Sequence, residues 1–342
     1  MVLGKIFILI SIVTVSTFLT WRMRHYAIKY NILDIPGSRS SHKTPTPRGG
    51  GLAISACCLI AVLFFGISGI LASRIMWAFL GGGSAISIIG WLDDRKSMTP
   101  KVRFIVQLAA ATWAVYFIGG LPTMNIGIGT IPFGWFGSIL AILGIVWMTN
   151  LYNFMDGIDG IAGMEAVMVG AIGGTLLAIS NSWGLAFVSW SVAAASLGFL
   201  FWNWPPAKIF MGDVGSGFLG FNFAVLLLAS ERSGNIPLLI WLLLLGVFIG
   251  DATFTLFRRL LKGEIIWEAH RSHFYQRAVQ IGYSHTTVIL VTASLNAILG
   301  ILTIFAYLNP PLLLLFVIAG IGILTITGFV GSRLEKKSKF TR

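Results

Sequence analysis

Apolar runs of about 17 to 25 residues recur along the whole chain, separated by short polar gaps. Wound as a helix, a run of that length crosses the roughly 30 Å hydrocarbon core of a bilayer. Inside that core only helices and closed barrels satisfy their own backbone groups. These runs are continuous rather than alternating, so they read as helices and not as barrel strands. Only 11% of the residues are charged, less than half of the roughly 25% typical of soluble domains. The expected fold is an all-α polytopic membrane protein.

Eleven spans are predicted, at 3–21, 50–72, 75–92, 103–120, 135–150, 158–180, 184–202, 215–230, 236–257, 286–307 and 310–331. The uncharged segment 121–134, "LPTMNIGIGTIPFG", is rich in turn residues and reads as a short external loop or hairpin. The basic cluster "WRMRH" follows the first apolar run, and no small-residue cleavage site precedes it. That run is therefore expected to be a retained helix rather than a signal peptide. No gap is long enough to fold alone, and no internal repeat is visible, so 1–342 is expected to form a single integral membrane domain.

The formal net charge of +12 would suit nucleic acid, but its distribution points to topology instead. Of the 24 lysines and arginines, 21 fall in the gaps 22–49, 93–103, 203–214 and 258–285 and in the tail 332–342. Lys5, Arg74 and Arg232 lie on the other side. Basic residues accumulate on the cytoplasmic side, which puts the N-terminus outside and the C-terminus in the cytoplasm, with no nucleic-acid partner. Most acids obey the same split, among them Asp34, Asp93, Asp94, Asp156, Asp159, Asp213, Glu264, Glu268 and Glu335. Glu231 is external, and only Glu165 and Asp251 fall within predicted spans. Polar groups thus gather on the cytosolic face. Cys57 and Cys58 sit side by side in an apolar run and read as small packing residues.

The stretch "TNLYNFMDGIDGIAG", residues 149–163, puts Asn150, Asn153, Asp156 and Asp159 three apart. On a helix that spacing advances about 300°, so neighbours share a face while the stripe slowly winds. Gly157 and Gly160 let the backbone break there. Asp-Gly turns capping a new helix would account for one aspartate. They do not account for four polar groups, each of which costs a few kcal/mol in a membrane unless partnered.

Four further stretches carry polar groups at the same face. "GWLDDRKS" sets Asp93 beside Asp94, and adjacent carboxylates call for a cation or a shared proton; solvation beside Arg95 and Lys96 is the plainer use. "NWPPAKIFMGDVGSGFLG", residues 203–220, places Asp213 at a helix start, with Asn203, Lys208 and Phe210 nearby and glycines that permit close approach. No Walker lysine motif is present. "RRLLKGEIIWEAHRSHFYQRA", residues 258–278, holds His270, Arg271, His273 and Arg277. An H-x-x-H pair can be half a zinc site, but no cysteine is in reach, so phosphate binding is the better use; an interfacial helix on anionic lipid is the alternative. "DIPGSRSSHKTPTPRGGG", residues 34–51, is by composition a basic loop carrying Arg39, His42, Lys43 and Arg48.

Hard carboxylate oxygens suit Mg²⁺ bridging protein to phosphates, and phosphoryl transfer needs little beyond such positioning and charge neutralisation. These five motifs, taken in chain order, resemble the polyprenyl-phosphate N-acetylhexosamine-1-phosphate transferases, the superfamily of WecA-type and phospho-MurNAc-pentapeptide enzymes. The resemblance implies transfer of N-acetylhexosamine-1-phosphate from a UDP-N-acetylhexosamine to polyprenyl (undecaprenyl) phosphate in the bacterial inner membrane, releasing UMP. It also implies Mg²⁺ or Mn²⁺ as cofactor, and it allows a homodimer. Carried over by motif, Asn153 and Asp213 become the metal contacts, and Asp159 and Phe210 the uracil site. Asp93 and Asp94 would act on the lipid phosphate, Lys43 and Arg103 on phosphate oxygens, and His273 with Arg271 at the sugar-phosphate. Asn150, Asp156, Asn203 and Lys208 are the remaining candidates for substrate contact. Many members continue the last motif with more histidines, whereas this chain reads His273-Phe274-Tyr275-Gln276. That resembles the subgroup initiating O-antigen or lipopolysaccharide units. The rival class is a transporter or proton-coupled channel, for which Glu165 and Asp251 are the intramembrane candidates.

Overall fold

A computed structural model describes residues 2–36, 44–264 and 271–340. Every predicted span is helical in it. The helices are α1 (Val2–Lys29), α2 (Gly51–Ile67), α3 (Ser73–Arg95), α4 (Pro100–Ile118), α5 (Phe136–Met155), α6 (Ile161–Ile179), α7 (Trp183–Asn203), α8 (Asp213–Arg232), α9 (Leu238–Leu244), α10 (Gly246–Leu261), α11 (Phe274–Gln280), α12 (His285–Leu308) and α13 (Leu313–Phe340). Among the described residues, nine helices are long and apolar enough to cross a membrane. The chain is a multi-pass, mostly helical membrane protein.

Two spans depart from simple rods. The segment predicted as one span at 236–257 is two helices, α9 and α10, bent by 79° at Leu245. Helix α2 has 17 residues, at the short limit for a crossing. Helices α1 and α13 overrun their predicted ends at 21 and 331, because hydropathy marks where the lipid stops rather than where the helix stops.

The bundle is built around α8. Every residue from Val214 to Glu231 is buried, with α3, α5 and α2 packed around it. A helix covered on all sides has no lipid face and reads as apolar all round. Small residues allow the close approach: a Cβ on Gly51 would overlap the Cα of Gly215. Such small-residue contacts are how helices pack where lipid tails are as apolar as leucine. Cys57 and Cys58 are free and buried in the same core, as packing residues should be.

Consecutive helices pack against each other across short links, so the links alternate between two ends of the bundle. One end carries an antiparallel hairpin of β3 (Thr123–Asn125) and β4 (Thr130–Pro132), which is the predicted external hairpin. Glu231 anchors it there by accepting the Asn125 N–H at 2.7 Å. The other end gathers the links carrying the polar motifs. A second small sheet, unexpected from composition, pairs β1 (Leu33–Asp34) with β2 (Thr46–Pro47). It clips the basic loop to the α7–α8 link: Phe210 donates its N–H to Pro47 O at 2.8 Å, and Gly50 donates to Phe210 O at 2.9 Å.

Candidate active site

Asp93 and Asp94 sit in the last turn of α3 and point apart, because successive helical residues are about 100° apart. Asp94 is buried. It accepts from Arg48 Nε at 3.0 Å and from Arg48 Nη2, and from the backbone N–H groups of Asp213 (3.0 Å) and Val214 (3.1 Å). It therefore caps the start of α8 and pairs with Arg48 at once. Gly212 makes room for this: its φ is +76°, and a Cβ there would overlap the Asp94 carboxylate. Burial works against the Arg48 charge, but Asp94, with Asp213 and Asp34, outweighs it and holds the guanidinium above its ordinary pKa.

Asp93 accepts from the Met98 N–H at 2.5 Å and from Arg103 Nη1 at 3.0 Å. The same Arg103 nitrogen reaches Asp213 Oδ2 at 3.1 Å. The carboxylates of Asp93 and Asp213 thus share one guanidinium nitrogen, and Asn153 neighbours Asp213 from the end of α5. Asp156 follows on the α5–α6 link. Burial first, then the carboxylates of Asp213, Asp94 and Asp159, push its carboxyl well above the usual range. The structure thus brings Asp93, Asp94, Asp156, Asp213, Asn153, Arg48 and Arg103 into one cluster.

Four carboxylates there face two guanidinium groups. That excess of negative charge, presented by hard oxygen donors, fits a divalent cation, with Asp213 and Asn153 as the residues to hold it. Among the described residues no three His, Cys, Asp or Glu side chains form a closed metal cage. Mg²⁺ does not require one, since it is usually held by one or two carboxylates together with substrate phosphates.

A second cluster adjoins the first. Asp159 accepts the Ala207 N–H at 3.0 Å, and its Oδ2 lies 3.3 Å from His285 Nδ1 at the start of α12. Asn203 is buried and ties the links together, accepting from Gly160 N–H and donating to Ile209 O, both at 2.9 Å. Lys208 is exposed, with its Nζ 5.4 Å from the centre of the Trp202 ring. Phe210 is half-buried between the two links it joins.

The third cluster is built on α11. His273 is buried, with Nδ1 3.1 Å from Asp251 Oδ1 on α10. Tyr275 donates from its hydroxyl to Phe154 O at 2.9 Å, joining this segment to the end of α5. Arg271 is half-buried, and its carbonyl accepts from Gln280 Nε2 at 2.9 Å. Arg277 pairs with Glu335 on α13 and lies over the Phe274 ring. Lys43 and His270 lie outside the described residues.

The winding stripe of 149–163 does not converge on one point. Asn150 turns to α4, exchanging hydrogen bonds with Gln107 at 2.7 and 3.3 Å. Helix α5 ends at Met155, so Asp156 and Asp159 take directions set by the link rather than by helical phase. Arg48, His285 and Asp251 contact candidate site residues, and sequence reading did not assign them to the site. Their signals were weak, because each pairs with a residue far along the chain. The two acids offered for a transport path are internal struts. Glu165 accepts from Asn296 between α6 and α12, and Asp251 accepts from Thr255 Oγ1 and the Phe274 and Tyr275 N–H groups while facing His273 Nδ1.

Residues 76–231 match the model of the glycosyl transferase family 4. The chain is 33% identical to "Probable undecaprenyl-phosphate N-acetylglucosaminyl 1-phosphate transferase" of Bacillus subtilis (strain 168), covering 97% of this chain and 94% of that one. It is 30% identical to "Decaprenyl-phosphate N-acetylglucosaminephosphotransferase" of Mycobacterium tuberculosis (strain ATCC 25618 / H37Rv), over 81% and 76% of the two chains. The Escherichia coli (strain K12) "Undecaprenyl-phosphate alpha-N-acetylglucosaminyl 1-phosphate transferase" is 28% identical over 98% and 93%.

Proposed function

The chain belongs to the glycosyl transferase family 4, and from that premise we propose that it makes a polyprenyl-diphospho-N-acetylhexosamine at a cytosolic face of the bacterial inner membrane. It is an enzyme, a membrane-embedded phosphotransferase. An oxygen of polyprenyl phosphate attacks the β-phosphorus of a UDP-N-acetylhexosamine. The bond from that phosphorus to the bridging oxygen breaks, and UMP leaves. The observation that carries this reading is the likeness of nearly the whole chain to N-acetylglucosaminyl 1-phosphate transferases.

The residues divide the work as follows. Asp213 and Asn153 would hold Mg²⁺ or Mn²⁺, which would supply charge neutralisation at the pyrophosphate. Asp93 and Arg103 orient the lipid phosphate. Asp94 and Arg48 hold the start of α8, and so Asp213, in place. Asp159 and Phe210 take the uracil, one by hydrogen bonding and one by stacking. His273 and Arg271 act at the sugar-phosphate. The departure from a multi-histidine motif after His273 favours the subgroup that initiates O-antigen or lipopolysaccharide units.

Purified protein given UDP-N-acetylglucosamine and undecaprenyl phosphate is expected to release UMP only when both are present. No UMP with that pair or with other UDP-N-acetylhexosamines, alongside uptake of a solute into vesicles, would replace the enzyme with a transporter.

The proposed orientation puts the N-terminus outside, eleven spans in the membrane and the C-terminus in the cytoplasm. It rests on the 21-to-3 split of basic residues. Alkaline phosphatase fused after Arg342 should be inactive, because that reporter needs the external compartment. An active fusion would reverse the topology and move the site to the outer face.

A further inference from the structure

Asp251 is an acid in the middle of an apolar helix, and its surroundings account for every one of its contacts. Its Oδ1 accepts from the Phe274 N–H at 2.9 Å, from Thr255 Oγ1 at 3.1 Å and faces His273 Nδ1 at 3.1 Å; its Oδ2 accepts from the Tyr275 N–H at 3.2 Å. The carboxylate is 9% exposed and the His273 ring 2% exposed, so water does not compete for this contact. The ring also lies against Tyr275, with centroids 5.7 Å apart and planes at 20°. Carboxylate, ring and hydroxylated ring thus form a stack that leads, through the Tyr275 hydroxyl on Phe154 O, to the link carrying Asp156.

We propose that Asp251 is the positioning residue for His273, holding the ring by Nδ1 so that its tautomer and plane are fixed and Nε2 is the nitrogen that serves the sugar-phosphate. An ionised carboxylate can only accept hydrogen bonds, so it selects the proton on the nitrogen that faces it. His273 also stands at the N-cap of α11, where its side chain faces the Gln276 N–H in a capping box, and accepting that N–H is the competing use of the same ring. That use needs an unprotonated Nδ1 and would place the carboxylate against a lone pair. The bend at Leu245 gives α10 its own direction after α9, and Asp251 lies on α10. On this account the broken span serves to bring a carboxylate under the histidine. The role of His273 itself rests on the reading given under the proposed function.

The test uses the full-length protein in detergent, labelled with ¹⁵N-histidine, with the His273 signals assigned by comparison with His273→Gln. With the ring neutral, wild type is expected to carry its proton on Nδ1. In Asp251→Asn the side-chain amide can donate to Nδ1 instead, and the proton is expected to move to Nε2. With UDP-N-acetylglucosamine and undecaprenyl phosphate as substrates, kcat should fall about 10- to 100-fold, the usual loss when a partner orienting a functional histidine is removed. KM for the nucleotide sugar should stay within about twofold. The double variant with His273→Gln should be no slower than His273→Gln alone, because one residue acts through the other. Should Asp251→Asn fail to fold, Asp251→Glu keeps the carboxylate on a longer arm and is expected to retain the Nδ1 proton with an intermediate kcat. A wild-type ring protonated on Nε2, or additive losses in the double variant, would overturn the positioning role and leave Asp251 as a cap for α11. Full activity in His273→Gln would overturn the functional reading of His273, whatever the tautomer shows.

Discussion

Asp213→Asn is expected to lower kcat by about 10²- to 10³-fold or more, the scale seen when one preorganised charge-stabilising group is removed from a reacting centre. The residue sits where three lines of structure meet: the start of the central helix, the Arg103 bridge to Asp93 and the Asn153 contact from α5. Substitution keeps the shape and the α8 backbone, including the N–H that Asp94 accepts, so the loss should come from charge rather than from unfolding. The same site predicts metal dependence. Activity should vanish with EDTA and return with Mg²⁺. A second readout needs no turnover: Mg²⁺ should raise the melting temperature of the wild-type protein, because a cation relieves the crowding of Asp93, Asp94, Asp156 and Asp213. Asp213→Asn should lose most of that shift. Full turnover in chelated protein would remove the metal from this cluster.

How much of this was legible depended on distance along the chain. Apolar runs report local burial in lipid, so the long helices could be placed from sequence, and basic residues marked the polar end. The bend at Leu245 could not be seen, because "WLLLLGVF" offers an unbroken apolar run with only Gly246 as a signal. The site was legible as a set of residue types but not as a set of partners. Asp94 and Arg48 are 46 positions apart, and Arg103 and Asp213 are 110 apart. Neither pairing has any periodicity to betray it. Arg48 looked like an ordinary loop residue because nothing near it in sequence needs a cation. Asn150 looked like a site residue because its spacing matched Asn153 and Asp156, yet its partner Gln107 lies on α4. Spacing gives the face of one helix, and only packing says which neighbour that face meets.

The division between Asp93 and Asp94 yields the last prediction. Asp94 spends its carboxylate on four donors: two from Arg48 and the first two N–H groups of α8. An asparagine there has a single accepting oxygen and turns an amide toward a guanidinium. Breaking a buried pair while leaving one charge in place costs about 3 kcal/mol or more. Asp94→Asn should therefore lower the melting temperature, and kcat and KM should worsen together as Asp213 loses its anchor. Among the described residues, Asp93 accepts from the Met98 N–H and from Arg103, and Arg103 keeps Asp213 as a partner when Asp93 is changed. Asp93→Asn should stay folded and lose kcat by about 10²- to 10⁴-fold, the range for a group that moves or orients a proton in the transition state. If Asp93 works as a base, raising the pH should shrink that loss, because more of the lipid phosphate is then already a dianion. A loss independent of pH would assign it to orientation through Arg103 instead. Normal activity in both single variants and in the double variant would take the pair out of the mechanism. An Asp94→Asn protein with wild-type stability and a selective loss of kcat would exchange the two roles.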